Sequence, residues 1–394
     1  MSADFIGSIA QEDVKFTTEV VTSTTLGENY SHLVIYAEKD RYIKDSSSFV
    51  DIKDSSGEVI ASYAEVTDTD YNTLVSGMLL DWLTDYFTAG GVPSVYIVLC
   101  SEKLSSASEF DEDAFTLAFN KTQMFGYFKT SCFSADDVTE EPLISGPCVT
   151  LAKLCAANDL LSGPVILPYW TATPAAPESD TLYKAITDAS TDAFFTCYPV
   201  ITNSDSTKTY YNKGLVSLAL ALSVQNSSGT YVGNSFDMVK TTQALASGAD
   251  NEPLSSTVQS VLKSNNIQYF KCVGLSDNSA AAYGASSIKG KLVPAYWIVA
   301  YCNYINKCKV AEYITTRNVF KSQSAYNNIL AMLMATIQLF INSGRLTDFL
   351  LTAPAYEDLP SSAGDEIIIN NAWQAAYTDD LRKVSVTGTL TISA

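Results

Sequence analysis

Apolar and polar positions alternate with two different periods along the chain, and the shorter period marks both ends. Residues 13–24, DVKFTTEVVTST, set Val14, Phe16, Thr18 and Val20 against Lys15, Thr17, Glu19 and Val21, the two-residue period of a half-buried strand. The run from Val384 repeats it, with Val384, Val386, Gly388, Leu390 and Ile392 on one side and Ser385, Thr387, Thr389 and Thr391 on the other. Both segments are expected to be extended arms. A strand near a terminus must find its sheet in its own body or in another molecule.

Between the arms, strand and helix periods alternate. HLVIYAE (32–38) reads as a core strand, and the polar stretch after it carries hairpin turn signals at Asp54 to Gly57. From Asp70 the period becomes helical, with Leu74, Met78, Leu79, Trp82, Leu83, Tyr86 and Phe87 on one stripe, and Gly90–Gly91 ends it. VPSVYIVLC (92–100) then has the continuous apolar character of a strand buried on both faces. The same alternation recurs in PCVTLAKLCAANDLL with GPVILPYW, and in DTLYKAITDAST with AFFTCYPVI. Further along, a helix is expected at 215–225, a helix running into a strand at 267–274, a long helix from Pro294, and another at 326–343 ending at Gly344. A polar link, APAYEDLPSSAGDE, leads on to the second arm. The predicted fold class is α/β (α+β): mixed sheets flanked by helices, with extended N- and C-terminal β-strand arms.

Composition changes this picture in two ways. Hydrophobic residues make up 47% of the 394, charged residues only 17%, and there are 23 Tyr and 17 Phe, so uncharged polar groups must cover much of the surface. That suits a body with extensive lateral contacts. A formal charge of −19, from 24 basic and 43 acidic residues, argues against a nucleic-acid partner, whose affinity comes from cations neutralising phosphates. The first residues, MSADFIGSIAQEDVKF, lack a basic segment followed by an apolar one, so no signal peptide is expected. ILAMLMATIQLFI (Ile329–Ile341) contains Thr336 and Gln338 and falls short of the ~20 apolar residues that span a bilayer. It is expected to be a buried helix, with no membrane insertion.

Candidate chemistry is sparse. The eight cysteines form no C-x-x-C pair, and Cys100, Cys197 and Cys272 fall in apolar runs, so they read as reduced, structural thiols; interchain disulfides are the remaining reading. His32 is the single histidine and opens an apolar strand, a structural place rather than that of a catalytic base. GASSIKGKL (284–292) approaches a phosphate loop but has one residue too many before Gly290–Lys291, and Leu292 stands where a Ser or Thr should hold Mg²⁺. The acidic groups Asp111–Glu112–Asp113, Asp136–Asp137 and Asp250–Asn251–Glu252 read as solvated charge in polar loops. Sequons at Asn29, Asn120 and Asn226 mean little without secretion. One segment departs from the acidic background: Lys307, Lys309, Arg317 and Lys321 face a single acid, Glu312. It is either a solvated helix face or an electrostatic contact for an acidic partner.

LTDYFTAGGVPSVYIVLC (83–100) resembles a hallmark of contractile-tail sheath proteins, a helix ending in paired aromatics and Gly-Gly before a strand of V-Y-V-V type. SGTYVGNSFDMV (228–239) and LKSNNIQYFKCVG (262–274) are similar to two further segments of that family, with Asn266 where the family often has Gly. The resemblance implies an N-terminal arm (1–25), an α/β body (26–260), an inner helical unit (261–365) and a C-terminal arm (366–394). It implies a structural subunit rather than an enzyme, with no catalytic residue, cofactor or metal. Hexameric rings stacked around a tail tube would contract to drive the tube through the host envelope. The arms would donate strands to neighbouring copies through Val14, Phe16 and Val20, and through Val384, Val386, Leu390 and Ile392. Lys307, Lys309, Arg317 and Lys321 would face the tube. The expected partners are the chain itself, the tail tube protein, and the baseplate and tail terminator proteins, in a virion tail assembled in the host cytoplasm. Another self-assembling virion component, a tube or capsid subunit, and a cytosolic α/β enzyme remain as alternatives.

Overall fold

The computed structural model describes residues 32–105, 109–131, 147–158, 160–166, 194–197, 200–204, 207–211, 240–241, 250–251, 256–272, 280–284, 287, 289–290, 292–317, 322–359 and 373–377. Both expected arm strands, and the helix expected at 215–225, lie outside these residues.

The first seven strands are β1 (Leu33–Glu38), β2 (Val50–Lys53), β3 (Val59–Thr67), β4 (Ser94–Cys100), β5 (Phe128–Ser131), β6 (Leu161–Ile166) and β7 (Phe194–Cys197). They form one sheet in the order β2-β3-β4-β1-β5-β6-β7. β4, β1, β5, β6 and β7 run parallel, and the β2–β3 hairpin adds an antiparallel edge. Taken in chain order, the parallel strands lie second, first, third, fourth, fifth, which is a doubly wound arrangement. β1 is central, and Leu33 to Ala37 have no exposed surface. That explains its unbroken apolar run, because a strand covered on both faces has no polar side.

Helices α1 (Gly77–Thr88), α2 (Glu112–Thr122) and α3 (Pro147–Ala157) belong to this body. The helix expected from Asp70 is split. Tyr71–Leu74 make one turn, Val75 is extended and bridges to Ile43, and α1 restarts at Gly77 with φ +58°. The Gly-Gly stop has two distinct causes. Gly90 takes the left-handed φ of +87° that closes the helix, while a Cβ on Gly91 would sit 2.4 Å from the Tyr86 ring. Helix α2 was not anticipated from the apolar pattern. Its acidic start is a cap rather than a solvated loop: the Asp111 carboxylate accepts from the Ala114 N–H at 3.0 Å, with Glu112 and Asp113 in the first turn.

Short strands β8 (Val200–Ser204), β9 (Thr207–Tyr211), β10 (Lys240–Thr241), β11 (Asp250–Asn251), β12 (Tyr269–Cys272) and β13 (Ala280–Tyr283) form two three-stranded sheets. Helix α4 (Ser256–Ser264) leads to β12 through Asn266, whose φ of +56° is the left-handed turn expected where Gly often stands. Helices α5 (Val293–Arg317) and α6 (Gln323–Asn342) then pack together, and α6 starts on the Ser322 side chain, which accepts from the Ala325 N–H. Two strands, β14 (Leu346–Leu351) and β15 (Trp373–Tyr377), close the described chain as an antiparallel pair.

One buried cluster joins the seven-stranded sheet and α1 to α3 with α5, α6 and β14. It runs from Leu33 in β1 through Trp297, Ile298 and Tyr301 of α5 to Ile337 and Phe340 of α6 and Leu346 of β14. The Tyr127 and Trp297 rings meet edge to face at 5.9 Å where the sheet body joins the helix pair.

Candidate assembly surface

Reactive groups in the body are occupied structurally. His32 Nε2 lies 2.8 Å from Ser94 Oγ, a Ser–His contact, but Ser94 is buried at the N-terminal end of β4. Ligands of open α/β sheets bind at the other, carboxyl end of the strands. Lys129 is wholly buried on β5, its Nζ donating to the Thr122 carbonyl at 2.6 Å, while Tyr36 Oη and Thr122 Oγ1 share a 2.7 Å hydrogen bond. Burial pushes the Lys129 ammonium down to about 7 and pushes the Cys155 thiol beside it well up. Cys100, Cys148, Cys155, Cys302 and Cys308 are all buried. Among the described residues no group of His, Cys, Asp and Glu could hold a metal ion.

The glycines of the incomplete phosphate loop do other work. Gly284 (φ +98°) packs against the backbone of Gln268, whose Nε2 donates to the Gly284 carbonyl, and the Gly290 N–H is already given to Ser287. Helix α5 follows, but Val293 and Pro294 at its start are buried. Its N-terminus therefore offers no open cradle for a phosphate.

What the chain does present is apolar surface on its C-terminal elements. β14 and β15 form a sheet of two strands only, with no further strand on either edge among the described residues. A two-stranded pair gains its stability from packing against other elements, and its open edges are templates for pairing with another chain. One side of the pair, with Leu346, Phe349, Trp373, Ala375 and Tyr377, packs on the common core; Leu350 on the other side is 57% exposed. Asp348, at φ +51°, occupies the bulge between Thr347 and Leu350. The bulge breaks the two-residue period of LTDFLL, which is why no strand is legible there in the sequence. Leu350 and Leu351 were accordingly missed as surface residues.

Helix α6 is the second such surface. It begins six residues' worth of chain earlier than its apolar run, at Gln323 rather than Ile329, and only one face is buried, through Ala325, Tyr326, Thr336, Ile337 and Phe340. The buried-helix expectation therefore holds for that face alone. By length and composition α6 could cross a membrane, yet it packs on α5 as one layer of this fold. Of the basic residues, Lys307, Lys309 and Arg317 lie on α5, and Lys321 lies outside the described residues. Lys309 is engaged: its Nζ donates to Thr336 Oγ1 of α6 at 2.9 Å, and burial lowers its ammonium's pKa.

No protein-family model and no curated protein sequence matches this chain. Solved structures do share its fold. A subunit of the anti-feeding prophage helical sheath in its contracted state superposes with a TM-score of 0.58 at 11% identity, covering 94% of this chain and 97% of that one. A sheath tail protein of Listeria innocua gives 0.47 at 10% identity over 93% of this chain and 98% of its own. Another, of Desulfitobacterium hafniense, gives 0.42 at 9% identity over 92% and 100%. The fold is thus one found in a helical sheath subunit, and the likeness extends over almost the whole length of both chains.

Proposed function

We propose that this chain is the structural subunit of a contractile tail sheath, polymerising as stacked hexameric rings around a tail tube and contracting to drive that tube through a host envelope. The observation that carries the proposal is the end-to-end likeness to a helical sheath subunit, in which neither chain has a large unmatched part. A composition with only 17% charged residues suits a body with extensive lateral contacts. The energy of contraction would be held in lattice contacts rather than drawn from a nucleotide.

In this proposal the arms complete the β14–β15 sheet of a neighbouring copy. Strand addition satisfies open backbone groups and covers Leu350 and Leu351, and the alternating Val386 and Leu390 supply the matching apolar face. Donor and acceptor are different surfaces, so the contact propagates instead of closing on itself. Lys307, Arg317 and Lys321 would hold an acidic tube surface, with baseplate and terminator proteins at the ends of the tail. The test is to delete residues 383–394, or to place Lys at both Val386 and Leu390. A subunit that keeps its melting temperature but no longer forms striated tubes in negative stain is the expected result. Unfolding of the subunit would mean that the strand belongs to its own core, and the arm proposal would fail.

A further inference from the structure

The chain carries no Asp, Glu, Lys or Arg from Ser322 to Gly344, so α6 is wholly uncharged in a molecule of formal charge −19. Its outward stripe is nevertheless in contact with solvent. Ala331, Met334, Ala335 and Gln338 are exposed, and Leu330 and Leu333 beside them are half-buried. Met334, at 38%, is one of the few large apolar side chains left open anywhere in the described chain. An uncharged face with an open Met among small and amide side chains is suited to packing against another protein surface.

We infer that the outer face of α6 is a contact between copies of this chain, distinct from the strand exchange of the arms. The inference rests on the sheath proposal, and it names a second surface of the same polymer. Electrostatics selects the occupant. Identical bodies of charge −19 repel, and like charges opposed across a contact cost several kcal/mol, so copies must meet where charge is missing. A phosphate-bearing ligand or an anionic lipid surface would find no cation on α6. A hydrocarbon environment would leave the Gln338 amide, along with exposed Asn327 and Asn342, without full partners, whereas a protein face can supply them. Gln338 Nε2 already donates to Asn342 Oδ1 at 2.8 Å, which holds the amides in place for such a contact.

The test uses the full chain. Ala331→Glu with Ala335→Lys places an i, i+4 pair in its favourable orientation on the exposed face, keeping the helix and the net charge while making the face costly to desolvate. The double variant should melt as wild type does and need at least tenfold more protein to polymerise. Independently of any substitution, peroxide oxidation of Met334 should be at least tenfold slower in wild-type polymer than in the free subunit. A variant that polymerises at the wild-type concentration overturns the inference, as does equal oxidation of Met334 in both states. Binding of the wild-type subunit, lost in the variant, to phosphatidylcholine–phosphatidylglycerol vesicles would reassign the face to lipid. If the wild type forms no polymer at all, the sheath proposal falls first, before any variant is made.

Discussion

Lys129 occupies the middle of the parallel sheet, beside Val34 of β1, with a single carbonyl for its amine, the Phe119 ring 6.0 Å away and Cys155 nearby. No acid faces it from α2, α3 or β1 among the described residues; Tyr36 and Cys155, both held protonated by burial, are its titratable neighbours. The folded state therefore disfavours the ammonium, bringing it from 10.5 down to about 7, whereas the unfolded chain stays protonated up to its ordinary value. Because the unfolded state binds more protons between those values, stability should rise with pH across that window, with the full penalty present below about 7. Lys129→Met should raise the melting temperature at neutral pH, by the equivalent of roughly 2–5 kcal/mol, and flatten its rise from neutral to alkaline pH relative to wild type. Calorimetry of both proteins at several pH values checks this; parallel pH profiles would show that the buried amine is already compensated.

At the scale of elements, α5 carries Lys307, Lys309 and Arg317. Lys309 ties it to Thr336 of α6; under the proposed function, Lys307, Arg317 and Lys321 would meet an acidic tube surface. Lys307→Glu with Arg317→Glu should leave sheath-only tubes able to form and prevent extended sheath from assembling on its tube. Raised salt should weaken the wild-type attachment in the same direction, since exposed charges are screened most. Normal attachment of the double variant at low salt would make these residues an ordinary solvated face. The elements most legible in the sequence are those whose period one environment sets: β1 and β4, covered on both faces, and α1, with its single stripe. Helix α2 was missed because its start, Asp111 to Asp113, looks like loop charge until its capping bond is seen. The Val75 break in the helix expected from Asp70 depends on Ile43, a partner distant in sequence. β14 was hidden by its bulge, and with it half of the surface on which the proposed function depends.

At the scale of the whole molecule, one core passes from the seven-stranded sheet through the Tyr127–Trp297 contact into α5, α6 and β14. In mechanical terms, this couples the seven-stranded sheet stiffly to the helix pair. A load applied at β14 and β15 passes through close-packed aromatic rings, including the Trp297–Phe340 and Tyr301–Phe340 pairs, into a strand held by hydrogen bonds on both sides. Packed cores deform little and transmit strain, so in the proposed sheath the work of contraction would be stored in the joints between copies, with little lost inside them. The thermal counterpart is a single cooperative transition: heating the isolated subunit should give one endotherm, and Trp297→Ala should lower it as a whole instead of splitting it. Two endotherms in the wild type would reveal a compliant link between sheet and helices, through which the power of a contracting lattice would dissipate before reaching its tube.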